Sequence, residues 1–204
     1  MIRLADESDL SSVVDVHMKA FPHFFLTLLG PSFLTSFYKF FITHEHGRLI
    51  IWEDEGTVAG FSAFTSDPAV FFADLKKQKG FSLFCKMFPI LFKQPRTVLN
   101  KLFRGIFYRG DKAEDIKSGA LLSSIGVSPD SAGKSIGSLL LQNTELRLSE
   151  SKCHLIYLTT DAYNNELTIH FYEKNGYRVH SRFRQSGNRT MLRLFKVLDE
   201  SAND

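Results

Sequence analysis

The chain has 204 residues, 44% of them apolar, and a formal net charge of +3. That is enough apolar material for a full core, which argues against disorder and suits one domain or one domain carrying an insertion. No stretch of about 18 residues is apolar and free of charge, and Met1 to Glu7 carries neither a basic leader nor a long apolar run, so the expectation is a cytoplasmic protein. Cys85 and Cys153 stand far apart without CxxC or Cys/His spacing, which suggests two ordinary buried or half-buried thiols, no disulfide framework and no metal site. The modest net charge hides an asymmetry: nine Lys and Arg and no Asp or Glu lie between Leu75 and Arg109. Such a patch draws an anionic partner, but overall basicity alone does not point to nucleic acid.

Taken in order, Ile2 to Leu4 reads as a short strand. Asp6 or Ser8 caps a helix with Leu10, Val13, Val14, His17 and Met18 at helical spacing. A second helix runs over Gly30 to Phe41, with Pro31 at its start and aromatic residues on one side. Arg48 to Trp52 and Val58 to Phe64, joined by the turn-like Asp54-Glu55-Gly56-Thr57, predict a β-hairpin. An apolar strand near Leu121 to Val127 leads into a helix from about Gly133 to Ser151, with Ile136, Leu139, Leu140, Thr144 and Leu148 on one face. A strand over Leu155 to Leu158, a helix over Glu166 to Asn175, and a closing pair, Tyr177 to Phe183 with Met191 to Val197, complete an α/β order without internal repeat.

The segment 68–118 is too long for a simple connection and is read as an inserted helical element. Phe81, Phe84, Cys85, Phe88 and Phe92 recur at helical spacing, as do Val98, Leu99, Leu102, Phe103, Ile106 and Phe107, which suggests two amphipathic helices broken near Pro95. Three readings stand open for it: a helical lid with a solvated basic face, a surface that lies on an anionic membrane through 75–109, or a receiver of an anionic substrate.

A strand running into a glycine-containing turn and then a helix presents backbone N–H groups where a phosphate or pyrophosphate binds. Val127 to Gly137 has this form. Gly133-Lys134-Ser135 also matches the end of a P-loop, but Ser128 stands where its first glycine belongs and Pro129 follows. A second motif decides between the two. Asn165-Glu166-Leu167-Thr168-Ile169-His170-Phe171-Tyr172-Glu173-Lys174-Asn175-Gly176-Tyr177 resembles the NxxAxxFYxxxGF signature of the GNAT acetyltransferases, in the right order after the turn and at the right separation. The resemblance covers roughly residues 118–198.

It implies a single GNAT-type domain over 1–204: a mixed, mostly antiparallel sheet whose central strands splay around a coenzyme A cleft, with acetyl-CoA as co-substrate, no metal, and a small-molecule amine, for instance an amino sugar, as acceptor. Ile125 and Val127 would bind the pantetheine arm, with the Val127 N–H on the thioester carbonyl. Ala132, Gly133, Lys134, Ser135, Ile136, Gly137 and Ser138 would hold the pyrophosphate. Asn165 would cap its helix and touch the arm, and Tyr172 would protonate the departing sulfur. The family's turn usually reads Gln/Arg-x-x-Gly-x-Gly/Ala, whereas this chain has Ala132 and Ser135. A helix-starting residue has φ < 0, so Ser135 is expected to be tolerated. Many members carry a Glu base on the strand before the turn, where this chain has Ser123 and Ser124. Asp161 is then the first candidate base, with His17, His23 and His170 behind it. A non-catalytic GNAT-like module that binds acyl-CoA or regulates at a membrane surface is the alternative, and the oligomeric state is unreadable.

Overall fold

The computed structural model describes residues 1–93, 116, 119–185 and 189–198. The expected second insertion helix, 98–107, lies outside the described residues, as do the side chains of 87–93. Strand β1 (Ile2–Leu4) is followed by a 3-10 turn (Glu7–Asp9), α1 (Leu10–Ala20), the short α2 (Phe25–Leu28) and α3 (Pro31–Thr43). The hairpin β2 (Gly47–Asp54) and β3 (Thr57–Thr65) comes next, then α4 (Pro68–Lys93). Strand β4 (Ala120–Val127), a 3-10 turn (Pro129–Ser131), α5 (Ile136–Glu150), β5 (Leu155–Asp161), α6 (Glu166–Lys174), β6 (Arg178–Gln185) and β7 (Arg189–Val197) complete the order.

The seven strands form one sheet in the order β1-β2-β3-β4-β5-β7-β6. Every neighbouring pair is antiparallel except β4 with β5. Because side chains alternate across a strand, Leu49 and Ile51 face one way and Ile50 the other. Leu49, Ile51, Phe61 and Ala63 pack with α1 and α3, and with Phe71, Leu75 and Leu83 of α4. Ile50, Phe64, Leu122, Ile156 and Leu194 pack with α5 and α6 on the opposite face. A sheet covered on both faces explains why β2 and β3 read as near-continuous apolar runs rather than as alternation. Inside the second layer, Ser62 Oγ and Thr144 Oγ1 lie 2.8 Å apart, and Thr144 also donates to the Leu140 carbonyl, so this buried pair is satisfied.

Four expectations change. The helix α2 has no counterpart in the sequence reading; it is a single turn, too short for periodicity to show. Helix α5 starts at Ile136, not near Gly133, for a reason given below. The insertion's first helix starts already at Pro68, and its buried side is Phe71, Leu75 and Leu83, whereas Phe81 and Phe84 are 84% and 55% exposed. The phenylalanine spacing was helical but marked the outward side. Cys85 shares that side and is exposed, while Cys153 is half-buried. No helix among the described residues is long and apolar enough to cross a membrane.

Candidate coenzyme site and acceptor cleft

Strands β4 and β5 pair only at Ala120 with Ile156 and at Leu121 with Tyr157. Beyond these two positions they diverge, so β4 from residue 122 to Val127 has no strand on its β5 side. On its other side it stays paired with β3 through Gly60 and Val127, with an extra residue, Ser123, between the partners of Ala63 and Phe64. That extra residue is a β-bulge, which bends the strand and widens the gap.

The antiparallel ladder decides which backbone groups enter the gap. Ser128 donates to the Ala59 carbonyl, so Ala59 and Ser128 are a hydrogen-bonded pair. Hydrogen-bonded and non-hydrogen-bonded pairs alternate. Gly60 with Val127 and Ser62 with Ile125 are therefore non-hydrogen-bonded pairs, and the N–H and C=O groups of Ile125 and Val127 point to the open edge. Their side chains pack with Ala162, Ile169 and Phe171 around the second core layer. The opposite face of the same strand meets α1: a Cβ on Gly126 would lie 3.0 Å from both Phe21 Cε2 and Phe61 Cε1.

After β4 the chain makes its 3-10 turn, and Gly133 adopts φ +80 with room on all sides. Ser135 is the N-cap of α5 and sits in the left-handed region, φ 58 and ψ 12, without a side-chain capping bond. This overturns the expectation of φ < 0: the residue stands before the helix, in the conformation that a glycine takes freely. An L side chain there costs about 1–2 kcal/mol. Ser135→Gly is expected to raise the unfolding free energy by about 0.5–1 kcal/mol after the added entropy of the unfolded chain is deducted, read by urea denaturation.

The α5 ladder opens with Leu139 N–H on the Ser135 carbonyl, which leaves the N–H groups of Ile136, Gly137 and Ser138 outside it. They form the positive end of the helix dipole at the exit of β4. Ala132, Gly133, Lys134 and Ser135 lead into them. The Lys134 ammonium is exposed and 4.0 Å from Asp54 on the hairpin, so part of its charge is already answered. Gly137 keeps this turn close to α6, where its missing Cβ would sit 3.4 Å from the Phe171 ring.

Tyr172 is buried among the second core layer, its ring edge-on to Phe171 and Tyr177 at 5.1 and 5.5 Å. Burial holds its phenol above the ordinary tyrosine value, so it keeps its proton at neutral pH. Asn165 precedes α6 but does not cap it, contrary to expectation. Its amide donates backward to Thr160 Oγ1 at 2.6 Å and to the Asp161 carbonyl at 3.1 Å, fixing the β5–α6 corner beside the cleft. Asp161 ends β5, and both its oxygens accept from Arg189, at 2.8 and 2.5 Å. Asp161 is thus held in a two-pronged ion pair with Arg189 at the end of the sheet.

The other base candidates separate by burial. His23 and His170 are exposed. His17 is 2% exposed, its Nδ1 lies 2.6 Å from the Tyr38 hydroxyl, and its Nε2 has no partner. Burial pushes its imidazole down to about 4, so it is neutral at physiological pH. The sequence reading missed Tyr38 as the partner of His17. The available signal was a histidine and a tyrosine standing in the apolar positions of α1 and α3.

Residues 103–179 match the sequence profile of the acetyltransferase (GNAT) domain. No curated protein matches by sequence. Among solved structures, the ribosomal-protein-alanine N-acetyltransferase of Brucella melitensis is 17% identical, with TM-score 0.64 over 97% of this chain and 99% of that one. An aminoglycoside 6'-acetyltransferase type Ii is 13% identical, with TM-score 0.63 over 98% and 97%. A Salmonella typhimurium chain solved with its cofactor acetyl-CoA is 15% identical, with TM-score 0.62 over 100% and 96%. The family profile thus runs through the splayed strand, the turn and the helix that follow it, and the fold of solved acetyltransferases extends over the whole chain.

Proposed function

We propose that the protein transfers the acetyl group of acetyl-CoA to a primary amine of a small molecule, with an amino sugar as the first acceptor to try. The observation that carries this reading is the open edge of β4, where the N–H groups of Ile125 and Val127 lead directly to the free N–H groups of α5. A coenzyme laid there has its pyrophosphate on Gly133 to Ser138, with Lys134 beside it. Its pantetheine arm runs back along β4, in the place of a strand. The thioester is the part farthest from the pyrophosphate, so its carbonyl falls to the Ile125 N–H, deeper in the cleft, and the Val127 N–H serves an amide of the arm. Asn165, held at the β5–α6 corner, borders the same cleft.

The chemistry then follows from the donors present. The amine lone pair forms the C–N bond while the carbonyl oxygen takes up negative charge against the Ile125 N–H. The C–S pair leaves as thiolate and takes the Tyr172 proton, and the extra proton on nitrogen leaves to water at the cleft mouth. Tyr172→Phe is expected to lower turnover roughly ten-fold or more with coenzyme affinity nearly unchanged, read by steady-state thiol release beside calorimetry.

Calorimetry with acetyl-CoA, followed by thiol release on a panel of amino sugars, aminoglycosides, polyamines and peptides with N-terminal alanine, tests the whole reading. The peptides are included because one similar structure is a ribosomal-protein-alanine N-acetyltransferase. Turnover on the peptides alone moves the acceptor class to proteins. Binding without turnover on any amine favours a module that holds acyl-CoA, and absence of binding sinks both.

The basic side of α4 supports a contact with an anionic surface or substrate, since Phe81 and Phe84 are exposed on the helix that also exposes Lys76, Lys77 and Lys79. Flotation with anionic liposomes separates the two, because a protein that stays unbound to them leaves the substrate reading.

A further inference from the structure

The helix that carries Tyr172 is fastened at both ends, and the two fastenings differ in kind. At its start the Asn165 amide binds Thr160 and the Asp161 carbonyl within the β5–α6 corner. At its end the Asn175 N–H and side-chain amide, with the N–H groups of Gly176 and Tyr177, close the carbonyls of Phe171, Tyr172 and Glu173, as a helix terminus requires. One further contact at that end comes from elsewhere in the chain. The Lys196 ammonium of β7 donates to the Asn175 carbonyl at 3.0 Å. The same ammonium lies 2.6 Å from Glu145 Oε2 of α5 and 5.8 Å from the centre of the Tyr177 ring.

Lys196 reaches this place over Gly176, where φ is +88 and a Cβ would stand 3.4 Å from Lys196 Cε. Tyr177, under the ammonium, holds Tyr172 in turn: its N–H donates to the Tyr172 carbonyl at 3.0 Å, and the two rings meet edge-on at 5.5 Å. Stability alone does not account for the ion pair. The side chains of Lys196 and Glu145 are only 29% and 12% exposed, and Glu145 Oε1 is buried without a hydrogen-bond partner. A pair withdrawn from water in this way contributes little over apolar residues of similar volume. What apolar residues lack is a donor for the Asn175 carbonyl. The two helices joined here are also the two that face the ends of the coenzyme in the reading above. Helix α5 offers the N–H groups of Ile136, Gly137 and Ser138, and α6 offers Tyr172. They already approach each other where Gly137 meets the Phe171 ring. The Glu145–Lys196 pair joins them a second time, a little over two turns farther along α5, which stops α6 from pivoting about the first contact.

We propose that Lys196 and Glu145 are positioning residues for acetyl transfer: they tie the end of α6 to α5, so that the Tyr172 hydroxyl stays at the departing sulfur while the pyrophosphate is held at the start of α5. The inference rests on the acid role of Tyr172 given above. Neither residue touches the substrate or supplies a proton. Their effect is on where the phenol stands when the C–S bond breaks, and small displacements of a reacting group are costly in rate.

The test uses the amine that turns over fastest in the panel and a variant that replaces the whole pair, Glu145→Leu with Lys196→Met, because removing one partner alone strands a buried charge. Its kcat is expected to fall about five-fold, with the amine KM and the acetyl-CoA Kd each within about two-fold of wild type. Its urea midpoint is expected to be no lower than that of the wild-type protein, so that the loss of rate is not a loss of fold. In a Tyr172→Phe background the same two substitutions are expected to change kcat no further, since there is no phenol left to place. An unchanged kcat in the pair variant, a loss that multiplies with that of Tyr172→Phe, or an acetyl-CoA Kd that rises in step with the loss of rate overturns the inference while acetyl transfer stands. If the apolar pair does not fold, Glu145→Gln with Lys196→Gln, a neutral polar pair too short to reach the Asn175 carbonyl, is read in the same way. An unaltered rate in Tyr172→Phe alone is a different result: it removes the acid role, and this inference with it. Failure to bind acetyl-CoA fails the functional reading itself.

Discussion

Ile125→Pro is expected to lower kcat by about 100-fold, roughly 2.7 kcal/mol of transition-state stabilisation. The substitution removes one N–H and trims a half-buried side chain that packs against the second core layer. On its β3 side Ile125 belongs to a non-hydrogen-bonded pair, so no rung of the ladder is lost, and on its other side the strand has no partner there. Proline is tolerated on a strand where its missing N–H would face away from the ladder. A carbonyl carries more negative charge in the tetrahedral transition state than in the thioester, so the missing donor is felt more in turnover than in binding. Single-turnover thiol release and calorimetry on the same variant separate the two, and Ile125→Val, which keeps the N–H, is the control. Equal losses in kcat and in coenzyme affinity would move the carbonyl contact away from Ile125.

Phe61→Ala is expected to lower the unfolding free energy by about 3–5 kcal/mol. Phe61 is fully buried at the centre of the first core layer, edge-on to Tyr38 and against the bare backbone of Gly126. Its removal opens a cavity between β3, α1 and α3 that this close-packed aromatic layer cannot readily collapse to fill. Stability of a domain of this kind is about 5–15 kcal/mol in total, so the loss consumes a large share of it. Urea denaturation reads the change, and Phe61→Leu, nearer in volume, is expected to cost less than about 1.5 kcal/mol.

The parts of the site that were legible in the sequence are those in which chemistry and local structure share one short segment. Val127 to Gly137 carries its strand, its turn and its helix start in eleven consecutive residues, and Asn165 to Tyr177 carries a whole helix with its closing glycine. The helical period likewise placed α1 and α3, and the hairpin turn placed β2 and β3. What stayed hidden depends on partners distant in sequence or on a single torsion. Asp161 reads as a free carboxylate until β7 brings Arg189 onto it, 28 positions away. Ser135 reads as an ordinary helix start because composition does not show φ. The outward side of α4 was misread because Phe81 and Phe84 look like core, whereas Phe71, Leu75 and Leu83 occupy the side that meets α3. The pair of His17 and Tyr38 joins α1 to α3 across 21 positions, and the helical period of either element does not show it.

Where β4 diverges from β5, a coenzyme seated as proposed would stand in for a missing strand of the sheet. Without it, the protein carries an unpaired strand edge in its interior, the kind of surface on which a second polypeptide can add a strand. With acetyl-CoA at one hundred times its dissociation constant, the folded state gains about 2.7 kcal/mol, and the edge is covered by an arm that offers no further rung. A preparation free of acetyl-CoA is therefore expected to aggregate sooner than one supplied with it, a difference that light scattering reads.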